Sequence, residues 1–458
     1  MKRFLALTSA VLLSLPIGPA VAEQGGTPGA PGAGDPYFPG QGNGGYDAGH
    51  YDLSLDYDPS TGRLSGVARI SARATQALSR FNLDLVSTLT VRSVTVDGKP
   101  ATYAQSGSEL VVTPVRGLAR GRGFSVQIRY DGSPAHVIDP DGSMDGWIRT
   151  GDGVFNANEP QGAMTWYPGN HHMTDKATYR FTVTVPSTRV AVANGDLVSK
   201  ASRGGRTTYV WDCRESMAGY LTTVSIGTFT FADARIGGHR VTTAVDPQAT
   251  GDASGFAERH PPVLDYFASL FGPYPFSSTG GIVDHAPEVG YALETQTRPI
   301  YPRVPSESLL AHELAHQWFG DSVTPTLWRD IWLNEGFATY GEWLWADRLG
   351  TRTVQAAFDE AYATPAEDEF WQTPTADPGG PENLFHAPVY DRGAMTLHAL
   401  RREVGDATFF AILRTWAREH RHGNADTAAF VALSERVSGR RLDALFDAWL
   451  FKPGKPSL

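Results

Sequence analysis

From Tyr46 to about Val245 apolar and polar residues alternate. The stretches HYDLSLDYD, ARISARAT, ATYRFTVTVP and YLTTVSIGTFTFADA carry this period of two, which puts every second side chain on one face of a strand. Asp97-Gly98, Asp131-Gly132, Asp141-Gly142 and Asn194-Gly195 separate such stretches, and these pairs readily take the positive-φ backbone of tight turns. The pattern predicts an antiparallel β domain over residues 46–245. After that the period lengthens. FAERHPPVLDYFASLFG predicts a helix ending before Pro273. Residues 306–319 predict a second helix, with Ser306 as cap and Gly320 just past its end, and residues 331–348 a third, stopped near Gly350. TFFAILRTWAREH, TAAFVALSERVSG and LDALFDAWLF predict amphipathic helices whose apolar stripes are packing faces. Residues 246–458 therefore read as a mostly helical α+β domain, and the chain as multidomain.

The two ends read differently from the middle. MKRFLALTSAVLLSLPIGPAVAEQ has Lys2 and Arg3, an apolar run, then Ala20-Val21-Ala22. This is the order of a secretory signal peptide over 1–22, cleaved near Ala22, and it predicts a secreted, extracellular protein. The apolar run is short for a membrane span, and no later segment is long and apolar enough to be one. Residues 23–45 are mostly Gly, Pro and small polar groups, and their composition predicts a disordered, flexible lead.

Composition narrows the partners. With 458 residues, two or three domains are expected. The net charge is −10 and no basic cluster stands out, which argues against nucleic acid or an anionic membrane surface as partner. Cys213 is the one cysteine, so the chain can form no internal disulfide, and a metal site must be built from His and carboxylate. Cys213 itself reads as a small buried hydrophobe in a strand. His171, His172, His285 and His386 read as exposed loop residues.

The chemistry concentrates in LLAHELAHQWFGDSVTPTLWRDIWLNEGFATYGEW, residues 309–343. His312 and His316 stand at i and i+4 on a predicted helix, so both imidazoles face one way about 6 Å apart, a span that suits two nitrogens on one Zn²⁺. Glu313 lies beside them, placed to take a proton from water at the metal. Eighteen residues separate His316 from Glu335, enough for a loop and the start of the next helix, which can bring Glu335 in as third ligand. Glu342 follows at i+7 on the same face, where its carboxylate can accept the remaining N–H of a ligand histidine. One Zn²⁺ per chain is the predicted cofactor.

HELAH followed by WLNEGFATYGE resembles the gluzincin metallopeptidases, and specifically the aminopeptidase N family. The resemblance runs from about residue 46 to 452. It implies a saddle-like β domain packed on a thermolysin-like catalytic domain. VGYALETQ, residues 289–296, is similar to the family's Gly-x-Met-Glu-Asn strand, which implies that Glu294 binds the substrate's free α-amino group; Tyr291, Leu293 and Thr295 depart from that pattern and alter the first subsite. NEPQGAMTWYPGN, residues 158–170, implies Glu159 as a further contact to the amine. PVYDRGAMTLHAL, residues 388–400, implies Tyr390 as the oxyanion donor, with Arg392 where Lys is common. The chain stops near where the family's catalytic domain would end, so a short form lacking the C-terminal helical domain is expected, with a less enclosed site.

Together these readings predict a secreted zinc aminopeptidase acting on peptides with a free N-terminus. Glu313 and Tyr390 are the catalytic residues, His312, His316 and Glu335 the metal ligands, Glu294 and Glu159 the substrate contacts, and Glu342 the support behind His312. A thermolysin-like zinc endopeptidase and a non-catalytic peptide-binding protein with a vestigial zinc site remain as alternatives. The sequence sets neither the oligomeric state nor the preferred N-terminal residue.

Overall fold

The structure, a computed structural model, describes residues 26–458; the expected signal peptide lies outside the described residues. The centre of the N-terminal domain is an eight-stranded sheet. Tyr46–Asp58 pairs antiparallel with Arg63–Ala74, and that strand with Gly123–Gly132. On its other side Tyr46–Asp58 runs parallel to Ala177–Pro186, an exception to the antiparallel pattern. The period-two text has the expected consequence: Tyr51, Leu53, Leu55 and Tyr57 of one strand, and Tyr179, Phe181, Val183 and Val185 of its neighbour, are all buried. Cys213 is buried on Arg206–Met217 of the same sheet.

The second domain begins earlier than the expected boundary at Val245. Thr230–Ile236 and His239–Val245 form a four-stranded sheet with Thr279–Val283 and Ile300–Tyr301. Their alternation looks like that of the preceding strands, but their ladder partners lie downstream, so they belong to the second domain. Between and after these strands come α1 (His260–Phe271), α2 (Glu307–His316) and α3 (Trp332–Arg348), with α2 packed on both α1 and α3. Then come α4 (Val354–Tyr362), α5 (Gly393–Val404), α6 (Asp406–Glu419) and α7 (Thr427–Ser438). The predicted cap is in place: the Ser306 hydroxyl accepts the Leu309 N–H at 3.1 Å.

Residues 26–45 correct the expectation of a flexible lead. They clasp both domains. The Asp35 carboxylate accepts the N–H groups of Tyr37 and Trp328, each at 2.8 Å. Phe38 packs edge-on to Trp328 at 5.9 Å. Further along, Asp84 of the β domain accepts Gly42 N–H at 3.0 Å and the Asn43 amide at 2.7 Å. Composition fails here because Asp35, Asn43 and Phe38, each with a distant partner, order a stretch that is otherwise Gly, Pro and small polar groups. His171 and His172 also depart from their expected exposure. Both are buried, with His171 Nε2 donating to Tyr167 O and His172 paired with Thr174. His386 is exposed and His285 half-buried.

Candidate active site

A cleft of about 450 Å³ opens between the two domains. Asp141, Gly142, Ser143, Met144 and Glu159 of the β domain line one wall; Glu288–Ala292 and Glu294 line the other; His312, Glu313, His316 and Glu335 form the floor, with Phe385 and Tyr390 at the side.

α2 and α3 build the floor. Gly341 makes their approach possible, since a Cβ there would meet Ala315 Cβ at 2.7 Å. His312 Nε2 lies 3.3 Å from Glu335 Oε2, and His316 Nε2 lies 3.5 Å from the same oxygen. One donor atom from each of the three side chains lies within 4.8 Å of the others. Each histidine is held from behind. Glu342 Oε1 sits 2.7 Å from His312 Nδ1, and Ser308 donates to the other Glu342 oxygen. Phe319 O sits 3.1 Å from His316 Nδ1. With both Nδ1 atoms committed to acceptors, both Nε2 lone pairs turn towards the shared point.

The four carboxyls and two imidazoles around that point act strongly on one another. Burial pushes the Glu313 carboxyl up to about 8, with the two imidazoles pulling against it. Burial also works against ionised Glu335, but His316 and His312 overcome it and hold that carboxyl down to about 2. Burial lowers His316, yet Glu294 and Glu335 outweigh it and set it at about 9. Four buried carboxyl groups (Glu159, Glu294, Glu313, Glu335) thus surround two imidazoles.

The amine-side residues are rigidly mounted. Gln317, one residue past α2, donates to Glu294 O at 3.0 Å and accepts Thr297 N–H at 2.8 Å, tying the 294–297 segment to the metal helix. Glu159 sits between two anchored neighbours. Asn158 accepts the Trp166 indole N–H at 3.1 Å, and Gln161 donates from its backbone to Asp145 at 2.9 Å and from its side chain to Asp139 at 2.7 Å. Glu159 Oε1 and Glu294 Oε1 are both buried without a hydrogen-bond partner. Tyr291, where the family pattern has Gly, donates its hydroxyl to Met144 O at 2.6 Å and so ties the two cleft walls together.

Tyr390 stands on a wide, π-type turn, Pro388–Arg392, at the start of α5. Such turns displace a side chain from the regular helical track. Its ring stacks near His312 with centroids 6.1 Å apart. Gly336, next to Glu335, faces Gly393, where a Cβ on either would meet the other's backbone at 2.8 Å. This contact fixes the distance between the Tyr390 turn and α3. Arg392 faces away from the cleft: its guanidinium is buried and donates to the carbonyls of Trp371, Thr373, Ala448, Trp449 and Lys452. It bolts the turn to the C-terminal segment.

All eight side chains singled out from the sequence therefore converge, seven on the cleft and Glu342 behind His312. The sequence did not reveal Gln317, the Asp139–Asp145 pair or the Phe319 carbonyl as supports, because each acts through a fold-dependent contact.

The description "Peptidase family M1 domain" matches residues 292–449. A solved two-domain M1 zinc metallopeptidase, a glutamate-to-alanine mutant bound to L-arginine, is 30% identical, superposes with a TM-score of 0.87, and the match covers 93% of this chain and 99% of that one. The chain belongs to the M1 family of zinc metallopeptidases. A further M1 structure, from Deinococcus radiodurans and bound to a Tyr-Ser-Ala substrate, is 30% identical with a TM-score of 0.83 and covers 93% and 99% of the two chains. Aminopeptidase M1-D of Oryza sativa subsp. japonica is 27% identical over 309 residues, which is 61% of this chain but 35% of the rice protein. This M1 chain thus spans well under two thirds of that relative's length.

Zinc is the M1 cofactor, and the donor set fits it. Two imidazole nitrogens and one carboxylate oxygen, each side chain braced or paired, form the mixed N and O set that zinc takes in catalytic sites. The cleft leaves room beside them for substrate.

Proposed function

We propose that this M1 chain is an aminopeptidase, hydrolysing the first peptide bond of peptides with a free N-terminus. The observation that carries this reading is the pair of unpartnered buried oxygens, Glu159 Oε1 and Glu294 Oε1, beside the three-donor floor. Two buried carboxyl oxygens without hydrogen-bond partners are costly unless a donor joins them, and a peptide's terminal ammonium has the charge and the donors to do so. Its capture fixes which carbonyl reaches the floor.

His312, His316 and Glu335 are the residues that would hold zinc, which when bound polarises the scissile carbonyl and acidifies water. Glu313 then serves as base, accepting the water proton and passing it to the departing nitrogen. Tyr390 donates to the oxyanion as it forms. Glu342 keeps His312 in the ligating tautomer. Cleft walls tied by Tyr291 and Met144 shape the first subsite, and the peptide-bound relative supports a peptide as ligand. Lys2, Arg3, the apolar run and Ala20-Val21-Ala22 support export as the setting, which N-terminal sequencing of protein from the culture medium tests.

The decisive assay is a panel of aminoacyl anilides, their N-acetylated forms and an N-blocked internally quenched peptide, each with and without chelator. Free-amine anilides should be cleaved, chelator should abolish that cleavage, and zinc should restore it. Cleavage of the blocked peptide in its interior, with anilides untouched, would make the chain an endopeptidase instead.

A further inference from the structure

A second cluster of acids lies outside the catalytic cleft. His239–Val245 and Thr279–Val283 are parallel neighbours with Val245 opposite Val283, so the residues that follow them, Asp246 and Asp284, emerge side by side from the sheet. Asp246 N–H donates to Val283 O at 2.8 Å, which locks that register. The third acid, Asp152, comes from the β domain, on the turn between Met144–Arg149 and Val154–Ala157. Each of the three offers a carboxylate oxygen within 4.8 Å of the other two.

Few groups neutralise them. Asp152 accepts Thr228 N–H at 2.7 Å, and Arg189 Nε approaches it at 3.9 Å. Asp246 accepts Gln248 N–H at 2.6 Å. Asp284 is fully buried; its Oδ1 accepts His285 N–H at 2.8 Å, while its Oδ2 has no partner. Burial pushes the Asp284 carboxyl well above the usual range; the His285 N–H opposes this, and the charges of Asp246 and Asp152, with a side-chain approach to Asp246, add to it. A buried carboxylate oxygen with no donor, facing two further carboxylates and one distant guanidinium, needs either a shared proton or a cation.

The geometry favours the cation. Calcium takes oxygen ligands at about 2.3–2.6 Å, so two oxygens on one ion lie at most about 5 Å apart, which is the spread seen here. All the donors are hard oxygens, with no imidazole or thiolate among them, which suits calcium and not zinc. We propose that Asp152, Asp246 and Asp284 bind a calcium ion that joins the β domain to the catalytic sheet at the root of the segment leading to Glu294. The site is independent of the catalytic donors and of the aminopeptidase reading.

The test uses the full chain, loaded with one equivalent of zinc and freed of calcium. Calorimetric titration with calcium chloride should give one site per chain, and saturating calcium should raise the unfolding midpoint by about 3 °C. Asp284→Asn should weaken calcium binding by about tenfold or more, and so should Asp152→Asn on the half-exposed turn, which keeps the test open should the buried variant fail to fold. Absence of a calcium heat overturns the proposal. So does calcium binding that survives both substitutions. Binding of magnesium with calcium inert also overturns it.

Discussion

Glu342→Ala probes the geometry of the metal floor without touching a ligand. In the parent, Glu342 Oε1 lies 2.7 Å from His312 Nδ1, a charge-assisted bond that selects the tautomer with Nε2 free and fixes the ring plane. Loss of such an outer partner generally weakens metal binding by about 10–100-fold, or about 1.4–2.7 kcal/mol. The structure points to the lower end. The Glu342 side chain keeps 28% of its surface exposed, so solvent screens part of its charge, and water can replace it at Nδ1 once the carboxylate is gone. A tenfold rise in the zinc dissociation constant, about 1.4 kcal/mol, is therefore expected. Glu342→Gln keeps an acceptor and loses the charge, so it should fall between parent and Ala. Ser308→Ala removes only the hydroxyl that orients Glu342 and should cost less than either. Competition for zinc against a chromophoric chelator at fixed pH measures all four proteins. A Glu342→Ala constant within about twofold of the parent, with zinc still bound at the floor, would refute the claim that this carboxylate sets the ligand histidine.

Three further outcomes are expected. Glu313→Gln should retain full zinc content while anilide turnover falls by about 10²–10⁴-fold, read by metal analysis and initial rates on one preparation. Tyr390→Phe should lower kcat about a hundredfold, about 3 kcal/mol in barrier, with KM little changed. Acid should destabilise the fold through His171 and His260, both pushed down to about 4 by burial. An unfolded imidazole titrates near 6.5, so between about 6.5 and 4 the unfolded chain binds the extra protons, and stability falls as pH drops through that window, by about 3 kcal/mol per histidine. His260→Asn should flatten its share of the slope, measured as urea midpoints at pH 7 and pH 5.

The parts legible in the sequence are those fixed by local geometry. The i, i+4 histidines, the Ser306 cap and the alternation of Ala177–Pro186 each follow from helix or strand periodicity alone. Tyr390 and Glu159 are different: nothing in their local pattern separates them from packing residues, and they came from resemblance to a family motif. What stayed hidden depends on distant partners. The 26–45 clasp needs Trp328 and Asp84 to exist as docking points. Thr230–Val245 alternates like the β domain before it, and only its pairing with Thr279–Val283 assigns it to the second domain. Nothing local to Arg392 shows that its guanidinium is buried among the carbonyls of distant segments. Asp152, Asp246 and Asp284 are spread over more than a hundred residues, with no spacing that connects them.

The central claim is that one zinc ion is shared by His312 Nε2, His316 Nε2 and a Glu335 oxygen. Anomalous diffraction from zinc-loaded crystals, collected on both sides of the zinc absorption edge, tests it directly. A single strong peak should lie at about 2.0–2.2 Å from each of those three atoms. A zinc peak elsewhere in the chain, or none in protein that carries stoichiometric zinc in solution, would contradict it.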